Sequence, residues 1–172
     1  MDTVHIALSP AVGWPQQTGL DNLTAVQPMS GSFVAMDEDA CAVYSLGGTR
    51  LASIQSGYAR PALAAGKTRF VLYNRSGNEL RVESRTQNLY SKTLENSIYL
   101  CAMSDTGTLA VATDSADSTA RLTVYTPTMT EQLHWDMTGA QGTPVRMAFA
   151  ADSRRLAVAA VTSSAGQLQA NL

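Results

Sequence analysis

The sequence has few charged residues and very few of the residue types on which catalytic and metal sites depend. Charged side chains make up 15% of the 172 residues, the net charge is −2, and there are two histidines and two cysteines. A zinc site needs about four histidine, cysteine or carboxylate ligands, and a Ser-His-Asp triad needs a histidine in a suitable context. Neither His5 nor His134 has such neighbours, so we expect no metal, no cofactor and no catalytic residue.

Basic clusters and long apolar runs are also missing. Ten arginines and two lysines are scattered along the chain, a pattern that does not favour a nucleic-acid partner. No segment approaches the roughly 20 apolar residues of a membrane helix, and the N-terminus MDTVHIALSP does not resemble a signal peptide. We therefore expect no nucleic-acid partner, no membrane span, and a cytoplasmic location unless a targeting segment has been removed.

The two cysteines, Cys41 and Cys101, allow two interpretations. An exported protein can carry one disulfide, so they could pair. Each lies in an apolar, strand-like run, however, where a free cysteine behaves as a small hydrophobic residue. The second interpretation is the one we favour.

What the sequence does contain is a repeat. Its clearest copy is IYLCAMSDTGTLAVATD, Ile98 to Asp114, in which two apolar strands flank a polar turn. Weaker copies occupy Pro61 to Asn74 and Pro144 to Val161. No stretch shows a sustained helical period, so the repeat predicts paired β-strands.

The repeats divide the chain into four groups of strands. The second strand of each group begins at Phe33, Phe70, Leu109 and Leu156, with spacings of 37, 39 and 47 residues. This is close to the period of about 40–45 residues of four-stranded propeller blades. We predict an all-β fold, a β-propeller or part of one, with about four blades of four-stranded antiparallel sheets. The expected divisions are an N-terminal strand and loop over 1–22 and repeats over about 23–57, 58–96, 97–139 and 140–172.

The second strands carry the strongest packing signal. The tetrapeptide LAVA occurs at Leu109–Ala112 and again at Leu156–Ala159, so these strands are apolar on both faces. Strands of this kind belong inside a sheet that is sandwiched between neighbouring layers.

These motifs resemble a known family. MSDTGTLAVAT (Met103–Thr113) and FAADSRRLAVAA (Phe149–Ala160) resemble the F-S-P-D-G-x-x-L-A signature of WD-repeat and TolB-type propellers, and RLTVYTP (Arg121–Pro127) resembles their third strand. The signature's proline is absent from every copy, as are the Gly-His and Trp-Asp pairs of eukaryotic WD blades. The resemblance therefore implies the bacterial, extracytoplasmic kind of propeller, many of which are binding or envelope-associated proteins.

Function follows less directly than fold. We predict a non-enzymatic binding or scaffold module that acts on a protein or a small ligand through its loop-bearing face or its central opening. One alternative is a propeller enzyme or the accessory domain of a hydrolase. Another is a structural fragment of a larger propeller.

Closure of the ring raises a separate question, because the fourth group has only three strands. Thr3–Ser9 is an unattached strand candidate that could complete it, within the chain or across a homodimer that forms an eight-bladed ring. The alternative is that the chain is a piece of a longer propeller.

Five residues are weak candidates for a binding surface, because tyrosine, tryptophan and arginine are favoured there: Trp14, Tyr58, Arg60, Tyr90 and Trp135. Packing between blades is the competing interpretation for the aromatic ones. The acidic run Asp37-Glu38-Asp39 could form a calcium loop, but a hairpin turn explains it better. Asp105 and Asp152 occupy equivalent turns, and we expect both to cap the turn backbone.

Overall fold

The computed structural model describes residues 13–164 and 166–172, and all regular secondary structure within these ranges is β-strand. The strands form four antiparallel sheets in which each strand pairs with its neighbours in sequence. The first sheet contains β1 (Ala25–Met29), β2 (Ser32–Met36), β3 (Ala40–Ser45) and β4 (Arg50–Gln55), and the second contains β5 (Pro61–Ala65), β6 (Arg69–Asn74), β7 (Glu79–Ser84) and β8 (Asn88–Thr93). The third contains β9 (Ile98–Met103), β10 (Leu109–Thr113), β11 (Ala120–Tyr125) and β12 (Glu131–Met137), and the fourth contains β13 (Thr143–Phe149), β14 (Leu156–Ser164) and β15 (Gln167–Asn171).

The first strand of each sheet lies innermost, and β1, β5, β9 and β13 contact one another in succession. The fourth sheet has three strands within the described residues, as the sequence predicts. The strand expected at Thr3–Ser9 lies outside the described residues. No helix in the described part of the chain has the length and apolarity that a membrane crossing requires.

The sheets are held together by apolar layers between them, and the second strands supply both faces. Phe70 and Leu72 of β6 pack against the first sheet, whereas Val71 and Tyr73 pack against the third. All four are buried. A fully buried side chain of this size stabilises the fold by about 1.5–3 kcal/mol relative to an exposed one. Strand β6 of the second sheet therefore stabilises the packing of both the first and the third sheet against it.

Both cysteines are free and buried. Cys41 lies between the first and second sheets and Cys101 between the second and third. Burial raises the pKa of Cys41 to about 12. The interpretation of two separate apolar thiols is therefore confirmed.

The flank of the first sheet that faces away from the second sheet is covered by residues 13–24, which we call the N-terminal cover. The Trp14 ring lies 5.6 Å from Phe33 and 5.9 Å from Tyr44, and its indole N–H donates to the Leu46 carbonyl at 2.9 Å. The Tyr44 hydroxyl donates to the carbonyl of Thr18 at 3.1 Å. The cover is thus fixed by aromatic packing and hydrogen bonds together.

The turn between β2 and β3 shows what the acidic run does. The Asp37 carboxylate accepts hydrogen bonds from the N–H groups of Ala40 (2.7 Å) and Asp39 (2.9 Å), which closes the turn. It also accepts one from Asp21 of the N-terminal cover at 3.0 Å. Asp37 therefore stabilises a hairpin and ties the cover to it.

The two equivalent turn aspartates behave differently. Asp152 accepts a hydrogen bond from the N–H of Arg154 at 3.0 Å, so its predicted capping role is confirmed. In the other turn the Ser104 hydroxyl accepts from the Thr108 N–H at 2.9 Å, while Asp105 pairs with Lys67 of the second sheet at 2.9 Å. The capping prediction is wrong for Asp105, because serine already occupies that role and a lysine lies within reach.

Candidate functional site

The innermost strands of the four sheets line a cavity of about 850 Å³, which we call the axial cavity. Gln27 of β1 joins the first two sheets at its edge: its side-chain oxygen accepts from the Ala65 N–H at 2.7 Å, and its amide donates to the Leu63 carbonyl at 3.3 Å. Much of the remaining wall is apolar, formed by Leu63, Ala64, Leu100, Ala102, Met103, Met147, Ala148 and Phe149.

Two arginines, Arg75 and Arg146, give the axial cavity its positive charge. Arg75 follows β6 directly and lies where the innermost strands begin, since its N–H donates to the Arg60 carbonyl at 2.9 Å. Both side chains are exposed. Among the ion pairs of the described residues, none involves either guanidinium. One Arg146 N–H donates to the carbonyl of its neighbour Val145 at 3.2 Å. The remaining guanidinium donors of the two residues are available to bind an anion.

Backbone bulges shape the wall of the cavity on β9 and β13. The pairing register shifts between Pro144 and Arg146 of β13, so Val145 is the extra residue. A matching shift in β9 makes Tyr99 the extra residue there. Bulges re-aim the side chains beside them and occur often next to sites. They explain why Tyr99, Val145 and Arg146 can all contribute to one cavity wall.

A smaller cavity of about 430 Å³ adjoins the axial cavity between the first and second sheets. Arg60 lines this smaller cavity, and Arg75 and Tyr73 line both. The Arg60 guanidinium approaches the Ser76 hydroxyl at 3.5 Å. Arg60 is thus a third positive charge beside the axial cavity.

Two tyrosines supply hydroxyl groups to the wall. Burial raises the pKa of the Tyr73 phenol, and Arg75 lies beside its oxygen. Burial also raises the pKa of Tyr99, and the hydrogen bond that its hydroxyl donates to Asp114 at 2.9 Å raises it further. Both phenols therefore stay protonated at neutral pH and contribute no negative charge.

The opposite end of the axial cavity is electrically neutral. Its carboxylate, Asp105, is paired with Lys67. The turns of the second and third sheets touch here, and a Cβ at Gly66 would clash with the carbonyl oxygen of Ser104. Only a residue without a side chain allows this approach.

The cavity wall contains one thiol, that of Cys101. Burial raises its pKa well above the ordinary value of a thiol, so it is protonated at neutral pH. Reactive cysteines have the opposite property, a lowered pKa near positive charge. Its environment suits packing rather than nucleophilic attack.

The structure does not bring the five predicted binding residues together. Arg60 lies beside the axial cavity, whereas Tyr58 packs between the first two sheets with the Arg81 guanidinium 6.0 Å from its ring centroid. Tyr90 packs against the layer between the second and third sheets. Trp135, 46% exposed, lines a separate groove of about 660 Å³ between the third and fourth sheets. The role of these residues in binding stays a prediction.

Sequence reasoning missed Arg75 and Arg146. A signal for Arg75 was present: Asp37, Arg75 and Asp114 each follow directly after the second strand of their sheet, so one copy carries a cation where two carry an acid. Arg75 therefore cannot take the role of Asp37, whose carboxylate accepts hydrogen bonds from N–H groups of the turn that follows it. No comparable signal exists for Arg146, because its place depends on the bulge.

Metal ligands do not cluster in the part of the chain that the structure describes: no group of three histidine, cysteine, aspartate or glutamate side chains converges there. His134 lies on the exposed strand β12, and its ring nitrogen is 2.8 Å from a Glu131 oxygen.

Comparison with known proteins identifies the family and the fold. A model of the family of unknown function DUF5711 matches residues 12–172. No curated protein matches the sequence.

Among solved structures, Hsv2 of Kluyveromyces marxianus superposes with a TM-score of 0.62 at 17% identity, over 80% of this chain and 44% of Hsv2. Hsv2 of Kluyveromyces lactis gives 0.59 at 17% identity, over 81% of this chain and 46% of Hsv2. The chain thus spans a little less than half the length of these structures. They are WD40-like β-propellers, so the predicted fold class is confirmed.

Proposed function

Since the chain belongs to the DUF5711 family, whose function is unknown, we propose a function from its own geometry. The chain is a non-enzymatic propeller module that binds a ligand in the axial cavity. Its volume of about 850 Å³ falls within the range of small-molecule sites, about 300–1,000 Å³.

The observation that carries this proposal is the composition of the cavity wall. It combines a broad apolar surface with a few polar groups, Arg75, Arg146, Tyr73 and Tyr99, which is the usual composition of a ligand site. Neither guanidinium forms an ion pair with another described residue, so neither charge links the sheets that line the cavity.

Catalysis by a propeller enzyme or hydrolase domain is the alternative. The groups on the wall favour binding over catalysis. The Cys101 thiol is protonated, Asp105 is neutralised by Lys67, and the tyrosine hydroxyls are held in their neutral form. These groups can position a bound molecule, but none of them is activated to attack it or to abstract a proton.

Three more specific predictions from the sequence are kept as part of this proposal. They are a closer relation to TolB-type propellers, binding of a protein partner, and a ring closed by two copies of the chain. The N-terminal cover bears on the last of these: Trp14 occupies the flank of the first sheet that a second copy would need to reach.

The proposal can be tested by filling the cavity. The probes are four naphthalenes of similar size that differ in charge: 2-naphthoate, 2-naphthyl phosphate, 2-naphthamide and 2-naphthylmethylamine, each titrated by fluorescence. Ala148, an exposed residue on the cavity wall, is changed to Trp. Its pairing partner Ala157 is also exposed but does not line the cavity, so Ala157→Trp is the matched control.

We expect at least one probe to bind the wild type and the Ala157→Trp variant with equal affinity, and Ala148→Trp to weaken its binding about tenfold or more. Equal weakening by both variants would place the probe on the outside of the fourth sheet. That result, or no binding of any probe below about 1 mM, would contradict the proposal, because a weaker Kd corresponds to a binding free energy of less than about 4 kcal/mol.

A further inference from the structure

The charge of the axial cavity identifies the class of ligand, an inference that rests on the proposed function. Arg75 and Arg146 line the cavity, Arg60 lies beside it, and no described ion pair involves any of the three. The chain as a whole has a net charge of −2. A local excess of positive charge on an acidic protein is therefore a property of this region, not of the whole surface.

The acids near this end do not cancel that charge. Asp105 pairs with Lys67 at the opposite end of the cavity. Asp114 accepts hydrogen bonds from the Tyr99 hydroxyl and the Ser115 N–H, each at 2.9 Å, and forms no ion pair with a described arginine. Tyr73, Tyr99 and Cys101 remain neutral because burial raises the pKa of each. The two guanidinium groups on the wall thus have no ion-pair partner among the described residues.

Arginine is also the cation best suited to one kind of ligand. Its planar guanidinium presents parallel N–H donors that match the oxygens of a carboxylate or a phosphate. We propose that Arg75 and Arg146 bind the anionic group, a carboxylate or a phosphate ester, of a ligand whose apolar body lies against Leu100, Met147 and Phe149.

The two parts of this site come from different sheets. Arg75 is carried by the second sheet and Arg146 by the fourth, while Leu100 belongs to the third. A ligand held by both arginines would therefore bridge three blades across the axis. This explains how an anion can be recognised by a chain in which no two basic residues of the site are neighbours in sequence.

The test uses the same four naphthalenes on the intact chain, because they keep the apolar body constant and change only the charge. We expect 2-naphthoate or 2-naphthyl phosphate to bind at least about tenfold more tightly than 2-naphthamide, and 2-naphthylmethylamine to bind most weakly. Raising NaCl from about 0.05 M to about 0.5 M should weaken binding of the anions but not of the amide.

Variants then assign the effect to residues. Arg75→Gln and Arg146→Gln should each remove most of the preference for the anion and leave binding of the amide unchanged, and Arg75→Lys should retain part of the preference, because it keeps the charge but not the paired donors. Arg50→Gln is the matched control, since Arg50 is an exposed arginine on the outer strand β4, far from the axis. A thermal unfolding midpoint equal to that of the wild type shows that each variant is folded.

The possible results separate the inference from the proposed function. If the amide and the amine bind as tightly as the anions, and Ala148→Trp weakens all of them, the axial cavity is a ligand site but the anion inference is wrong. If the anions are preferred but Arg50→Gln reduces that preference as much as Arg75→Gln does, the effect is general electrostatics and the inference is again wrong. The preferred anion distinguishes carboxylate from phosphate ligands.

Discussion

Two strands of this protein contain the same tetrapeptide, LAVA, in very different surroundings. In β10, between two sheets, Leu109, Ala110, Val111 and Ala112 are each 0% exposed. In β14, on the fourth sheet, Leu156 and Val158 are partly buried against the third sheet, whereas Ala157 is exposed and Ala159 is half-buried. The alternation of faces is identical, and the burial is not.

The difference shows that the tetrapeptide encodes the strand and its two apolar faces but not the presence of a neighbour on each. Among the described residues, no sheet packs on the outer face of β14, where Ala157, Ala159 and Val161 lie. The other end of the row of sheets is not equivalent. There the N-terminal cover lies on the first sheet, with Trp14 against Phe33 and Tyr44.

The largest expected effect is a difference in the free energy of unfolding between equivalent substitutions in the two tetrapeptides. Ala110→Leu adds three carbon atoms between the third and fourth sheets, where Ala110 is fully buried, and should lower the free energy of unfolding by about 3 kcal/mol through overpacking. Ala157→Leu at the equivalent position should change it by less than about 0.5 kcal/mol. Urea unfolding followed by circular dichroism measures both. Equal losses would mean that the outer face of β14 is covered in solution.

A second prediction compares the two tryptophans. Trp14→Ala removes the stacking on Phe33 and Tyr44 and the hydrogen bond to Leu46, and should cost about 2 kcal/mol, roughly half the cost for a fully buried tryptophan. Trp135→Ala should cost about 1 kcal/mol or less, because Trp135 is 46% exposed. The same unfolding measurements decide the order, and a smaller cost at Trp14 would show that the N-terminal cover contributes little to stability.

The smallest expected effect concerns the attachment of the cover and depends on pH. Burial alone would raise the pKa of Asp37, but hydrogen bonds from the N–H groups of Ala40, Asp39 and Asp21 outweigh it and hold the pKa below its usual value. Because the folded-state pKa is the lower one, the stabilisation is fully present above the unfolded value, about 3.9, and is lost as the pH falls through the folded value.

Asp37→Asn should therefore cost about 1 kcal/mol at pH 7, since an amide oxygen is a weaker acceptor than a carboxylate. The difference from the wild type should shrink below about pH 4 and disappear once Asp37 is protonated in the folded protein. Asp39→Asn is the control, because the side chain of Asp39 is exposed. A cost that did not change with pH would show that the carboxylate's charge is not what stabilises the turn.

Much of the fold could be predicted because the strands can be recognised from residues that are close together in the chain. Apolar runs indicate the strands β6 and β10. The Gly47-Gly48 pair indicates a hairpin turn, because glycine readily adopts the positive φ that such a turn needs, 85° at Gly48. The N-terminal cover could not be predicted. Trp14 meets Phe33 and Tyr44 only after the first sheet has formed, and its surroundings in the sequence, rich in glycine and proline, indicate no more than a loop.

The candidate site was harder to predict than the fold. Arg60 was predicted from its residue type and does lie beside the axial cavity. Tyr58 and Tyr90 were predicted on the same ground, but they pack between sheets. Arg75 could have been found from the charge reversal at its repeat position. Arg146 could not, because a one-residue bulge decides where its side chain lies, and the sequence pattern of β13 does not mark it.

The sequence by itself determined the four-fold repeat, the order of the strands within each sheet and the apolar character of both faces of the second strands. These properties depend on residues close together in the chain, through the two-residue period of a strand and the turns that reverse it. The tertiary structure alone decided which apolar faces are covered and which arginines share a cavity. Those outcomes depend on contacts between sheets about forty residues apart, which local patterns do not record.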